Sequence, residues 1–148
     1  MARGYDSLDA AWSACDRGDW MLWLLGRVSG APESEDRKRL VLCACACART
    51  ALPFVRSGEE RPLRCIETAE RWARGEATIG EVREARRAAA AAAAAAAYAA
   101  DAADAADAAA YAAAAAAAAA YAADARSKAL KACADIVRAH YPQAPVLP

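Results

Sequence analysis

Residues 88–125 read AAAAAAAAAAYAADAADAADAAAYAAAAAAAAAYAADA. Apart from Tyr98, Tyr111, Tyr121, Asp101, Asp104, Asp107 and Asp124, every position is Ala. Alanine enters a helix without losing side-chain entropy, and no Gly or Pro interrupts the chain from Arg83 to His140. The stretch predicts helix, and with it an all-α fold. Unbroken from Ile79 to His140, such a helix would be about 90 Å long at the standard rise. A compact chain of this length has a radius of gyration of only about 15 Å. Aspartate is a modest helix former and a strong N-cap, so turns are expected near Asp101–Asp107 and at Asp124. The reading is a fold-back into two or three antiparallel helices, with the tyrosines as the larger groups along the seam. The alternative is a single long rod.

On the C-terminal side, Leu130, Cys133, Val137 and Tyr141, with Ile136 alongside, form an apolar stripe that needs a partner. Tyr141 to Pro148 contains three prolines and is expected to be an extended tail. On the N-terminal side, Thr78-Ile79-Gly80-Glu81 has the capping-box pattern that starts the long run. Before it lie four short helices. Ser7 caps the first, which carries Leu8, Ala11, Trp12 and Cys15 and should stop at Gly18. Asp19 is the expected N-cap of Trp20-Met21-Leu22-Trp23-Leu24-Leu25, apolar nearly all round, for which burial is the expectation and a partner-facing surface the alternative. Gly30 and Pro32 break the chain, and Ser34 caps a third helix. Its apolar members include Leu40, Val41, Cys43, Ala44 and Cys47, and Pro53 marks its end. Pro62 opens a fourth helix at its first position, with Leu63, Ile66, Ala69, Glu70 and Ala73 near one face and Trp72 beside it, and Gly75 closes it. The organisation expected is one all-helical domain over 1–148: short helices in 7–76, an Ala-rich helical region in 78–141, and a Pro-rich tail in 142–148.

Charge is balanced, with 19 Lys plus Arg against 19 Asp plus Glu, so the chain has no global attraction for nucleic acid or an anionic membrane. Acidic neighbours offset both arginine clusters, at Arg37–Arg39 and at Arg83–Arg87, as in ordinary helix ion pairing. The longest Asp-free part of the run, Ala108–Ala123, is short and only weakly apolar for a membrane span. Arg3, Asp6 and Asp9 interrupt any apolar leader, which together with six cysteines in helix-like contexts points to reduced thiols and the cytoplasm. Cys43-Ala44-Cys45-Ala46-Cys47 invites a metal reading. On a helix, however, Cys45 points about 160° away from Cys43 and Cys47, so small core residues are the expectation and no metal is assigned. His140 is the sole histidine and stands at a helix end beside Pro142, and no Gly-rich phosphate loop is present. No catalytic residue and no cofactor is expected. The candidate partner contacts are Glu59, Glu60, Arg61, Arg64 and Trp72, because a charged loop beside Trp and Arg has hot-spot composition. The simpler account is that they cap and pack the fourth helix.

Four segments carry a family resemblance: Asp19–Leu25 (DWMLWLL), Cys47–Pro53 (CARTALP), Arg61–Glu76 (RPLRCIETAERWARGE), and Cys133–Arg138 (CADIVR) before His140-Tyr141-Pro142. They resemble small Ala-rich proteins of bacteria and their phages, and the middle two resemble the immunity-protein-five-like domain. The resemblance spans most of 19–142, with 61–76 its specific part, and the nearly pure Ala/Tyr/Asp run departs from it. It implies an all-α, non-enzymatic protein that binds and neutralises a toxin, or a phage protein reusing that scaffold. A second expectation is a structural protein that self-associates through close-packed Ala helices.

Overall fold

A computed structural model of the chain describes residues 5–31, 33–104 and 111–147, with side chains outside 93–123. Six α-helices and one 3₁₀ turn make up the described elements, and no strand occurs among the described residues. The chain divides into two compact units, Met1–Ala51 with Ala129–Pro148, and Leu52–Lys128.

The first unit holds α1 (Leu8–Ala14), α2 (Gly18–Val28), α3 (Glu35–Arg49) and residues 129–140 of α6 (Tyr111–His140). Ser7 Oγ accepts the Ala10 amide at 3.1 Å and Ser34 Oγ accepts the Arg37 amide at 3.2 Å, so both expected serine caps form. The core joins Trp12, Met21, Leu25, Leu40, Cys43, Cys47, Ala134 and Val137. The stripe at the end of α6 thus finds its partner in the faces of α1, α2 and α3. Trp12 Nε1 donates to Tyr141 O at 2.9 Å, and Arg138 Nη1 donates to Cys15 O at 2.6 Å. The Ala144 amide donates to Asp9 Oδ1 at 2.9 Å, which ties down the segment expected to be a tail.

Two boundary expectations are corrected. α1 stops at Ala14, and Gly18 opens α2. A methyl on Gly18 would lie 2.6 Å from both Ala134 N and Cys133 Cβ, so glycine is needed for close helix approach and not for a stop. Asp19 does not cap α2 either. The helix begins one residue before it, with Arg17 at the N-cap position, and Arg17 Nε and Nη2 donate to its two carboxylate oxygens at 2.9 and 2.7 Å. The apolar segment on α2 is split by the helical repeat. Met21 and Leu25 are buried, whereas Trp20 and Trp23 are 60% and 67% exposed.

The second unit holds the 3₁₀ turn Leu52–Phe54, α4 (Arg61–Ala73), α5 (Ile79–Asp104) and residues 111–128 of α6. Pro53 sits in the 3₁₀ turn, and Pro62 takes the second helical position of α4. α4 ends in a Schellman motif: the Glu76 amide donates to Arg71 O at 2.8 Å and the Gly75 amide to Trp72 O at 2.9 Å. Gly75 has φ +80°, which glycine adopts freely. The capping box of α5 forms as expected, with the Thr78 amide on Glu81 Oε2 at 2.7 Å and the Glu81 amide on Thr78 Oγ1 at 3.3 Å. Asp124 lies inside α6, where its carboxylate accepts from Lys128 Nζ at 2.7 Å, one turn on. No helix begins there, because α6 runs through it. Of the span Asp101–Asp107 where a turn is expected, Asp101–Asp104 belong to α5 and the rest lies outside the described residues; Pro32 and the side chains of Tyr98, Tyr111 and Tyr121, which the expected seam needs, lie outside them too.

Candidate functional site

Four of the predicted contact residues, Glu59, Glu60, Arg61 and Arg64, lie at the start of α4, and the fifth, Trp72, stands near its other end. Gly58 turns the preceding loop with φ +83°, and Glu59 follows it. The Glu59 carboxylate accepts the Arg61 amide at 3.0 Å, Arg61 Nε at 2.8 Å and Arg61 Nη2 at 2.5 Å. One side chain therefore satisfies a free amide at the helix start and clamps a guanidinium in two-pronged geometry. The Arg61 guanidinium holds the Glu59 carboxyl well below the usual range, at about 2. Arg64 Nη2 donates to Glu60 Oε2 at 2.8 Å, with both side chains largely exposed.

α4 and α5 pack along each other, and an open groove of about 310 Å³ runs beside the site, lined by Arg61, Arg64, Thr68, Arg71, Glu81, Glu84, Ala85 and Ala88. Arg71 reaches Glu81 Oε1 at 3.6 Å, and the bonds Glu81 accepts from Thr78 keep its carboxyl below the ordinary value. Arg61 and Arg64 thus belong to a longer polar strip. Trp72 is half-buried on α4 and is not among the groove's lining residues. The charged loop does not single out Thr68, Arg71, Glu81 and Glu84, although positions 61, 64, 68 and 71 have the i, i+3, i+7, i+10 spacing of one helix face. The lining combines charged groups of both signs with the small Ala85 and Ala88.

All six cysteines are free thiols. Cys43 and Cys47 lie in the core of the first unit, and Cys47 Sγ donates to Cys133 O at 3.6 Å. The neighbouring Cys43, followed by burial, pushes the Cys47 thiol up, and Cys47 in turn draws Cys43 down. Burial raises Cys133. Cys45 is buried on α3 apart from that core cluster. Among the described residues no group of three or more His, Cys, Asp or Glu side chains is arranged to hold a metal ion. His140 Nδ1 lies 3.0 Å from Ile136 O at the end of α6.

Compared with known families, residues 30–142 match the model described as Imm-5 like putative immunity protein. The matched span contains α3, α4, α5 and α6 and the whole arginine groove. No curated protein and no solved structure matches the chain.

Proposed function

The chain belongs to this Imm-5 like immunity-protein family, and on that premise we propose that it is a non-enzymatic binding protein that neutralises a toxin by covering its working surface. The family match over residues 30–142 is the observation that carries the reading. The contact surface proposed is the start of α4, with Glu59, Glu60, Arg61 and Arg64 as polar contacts, and Trp72 near the other end of the helix is a further proposed contact. The Glu59–Arg61 clamp pre-sets one guanidinium, which lowers the ordering cost of binding. The exposed Glu60–Arg64 pair can exchange its internal partner for groups on the toxin. We place this binding in the cytoplasm, a setting in which six free thiols stay reduced. No helix among the described residues is long and apolar enough to cross a membrane.

The test is to express the neighbouring gene, whose product this reading expects to be a toxin, alone and together with the chain. The native chain should restore growth and co-purify with that toxin. The triple variant Glu59→Ala, Glu60→Ala, Arg61→Ala should lose capture while far-UV circular dichroism shows it folded, its melting temperature falling only by what the lost Glu59–Arg61 clamp supplies. Growth arrest in the presence of the native chain would overturn the reading. Undiminished capture by the variant would overturn the assignment of the surface.

A further inference from the structure

The C-terminal segment closes one side of a cavity in the first unit. An open space of about 450 Å³ lies between the end of α2 (Leu25, Val28, Ser29), the first turns of α3 (Asp36, Arg39) and residues 141–146. That volume falls in the range of small-molecule sites. The cavity shares no residue with the arginine groove on α4, so nothing about it rests on toxin binding.

The wall made by the end of the chain is fastened at several points. Asp9 Oδ1 accepts the Ala144 amide, Trp12 Nε1 donates to Tyr141 O, and Arg39 Nη2 donates to His140 O. The Arg39 guanidinium also lies 4.5 Å from the Tyr141 ring centroid. Arg39 is thus fixed at the cavity wall, and its other N–H donors have no partner among the described residues.

Asp36 stands three residues before Arg39 on α3, the spacing of an ordinary helix ion pair. That pair does not form. Arg39 is held at Tyr141 and His140 instead, and the Asp36 carboxylate has no hydrogen-bond or ion-pair partner among the described residues. Burial raises the Tyr141 hydroxyl above its ordinary value, with Arg39 opposing this and Cys43 and Asp36 adding to it, so both cavity charges act at one ring. The neutral lining has hydrogen-bonding capacity to spare as well. The Tyr141 hydroxyl and the Gln143 side-chain amide make no hydrogen bond among the described residues, and the enclosed Ser29 Oγ is also unpartnered. Leu25, Val28, Pro145 and Val146 make the lining apolar elsewhere.

This combination selects by charge. A simple anion meets a like charge at Asp36, and a simple cation meets one at Arg39. A molecule that carries both an ammonium and a carboxylate satisfies the two, with its carboxylate on the Arg39 fork and its ammonium on Asp36. The apolar wall then takes a hydrocarbon body. We propose that this cavity binds a free α-amino acid with an apolar side chain.

A nitrogen-15 NMR titration of the full chain with L-leucine and with L-phenylalanine tests it. The amide signals of Val28, Ser29, Arg39 and Gln143 should move together with at least one of them, at a dissociation constant on the order of 1 mM or tighter, as a ligand of this size allows. N-acetyl-L-leucine lacks the ammonium and L-leucinamide lacks the carboxylate. Each should bind at least about tenfold more weakly, the loss of one charge-assisted hydrogen bond. Asp36→Asn should weaken L-leucine by about tenfold and should not weaken N-acetyl-L-leucine further, because that compound has no ammonium to lose. Far-UV circular dichroism of this variant should match the native chain, since Asp36 is exposed. If none of the four amides moves with either amino acid at about 10 mM, the site is overturned. Equal affinity for L-leucine and its two blocked forms, or native affinity in Asp36→Asn, would reduce the cavity to an apolar cleft and overturn the amino-acid reading. Shifts confined to residues outside the cavity would overturn its location.

Discussion

At Gly18 an added methyl would meet backbone and side chain of α6 at 2.6 Å, a distance that no rotamer change can relieve. Gly18→Ala should therefore push α2 away from Ala134 and Cys133. Overpacking of this kind costs about 1–3 kcal/mol, seen as a fall of several degrees in melting temperature. An unchanged melting point would mean the two helices do not approach so closely. Glu59 makes the second prediction at this scale. Its folded pKa lies at about 2 against an ordinary 4.5, so the unfolded state binds the proton more readily. The stabilisation from the clamp is complete above pH 4.5 and is lost as pH falls through 2. A carbon-13 titration of the Glu59 carboxyl should show a midpoint near 2; a midpoint near 4.5 would mean that Arg61 does not hold it. Neither feature was fully legible beforehand. Gly18 follows a short amphipathic segment and has the local signature of a stop, because the α6 residues that demand it lie more than a hundred positions away.

The element scale is where the sequence spoke most clearly, since caps are local chemistry. Ser7, Ser34, Thr78 with Glu81, and Gly75 all act where their residue types said they would. Thr78→Ala should cost about 1 kcal/mol through loss of the cap at the start of α5, and Thr78→Ser should recover most of it. Thermal melts of the three proteins decide this, and equal melting points would remove the capping box from the stability of α5. Asp19 has an N-cap's identity but the wrong neighbour. Arg17, two residues earlier, holds the N-cap position and pairs with its carboxylate, so Asp19 stands inside the first turn. On α2 the apolar run has no polar position to show which side faces outward, so period alone could not separate Met21 and Leu25 from Trp20 and Trp23. The arginine groove was half legible. Glu59 to Arg64 are contiguous and stood out, whereas Thr68, Arg71 and Glu81 join them only once α4 lies along α5.

At the scale of the molecule, the two units differ in what they bury. The first unites Trp12, Met21, Leu25, Leu40 and Val137 with two cysteines and Ala134. In the second, the buried hydrophobic side chains among the described residues are Ile66, Ala73 and Ala92. Burying an alanine removes far less apolar area from water than burying leucine or tryptophan, and free energy follows that area at about 25 cal/mol per Å². Segments with fewer buried apolar contacts open at lower cost. Native-state hydrogen exchange should therefore be slowest in α2, α3 and residues 129–140, and faster in α4 and residues 79–92. Trp12→Ala should erase that contrast. It empties the core of the first unit at a cost of about 3–5 kcal/mol and removes the donor to Tyr141 O, which holds the C-terminal segment in place. Amides of 129–140 should then exchange at rates close to those of α4, with α4 itself little changed. If α4 is the slower region in the native chain, the stability of the molecule does not reside in the tryptophan-centred core.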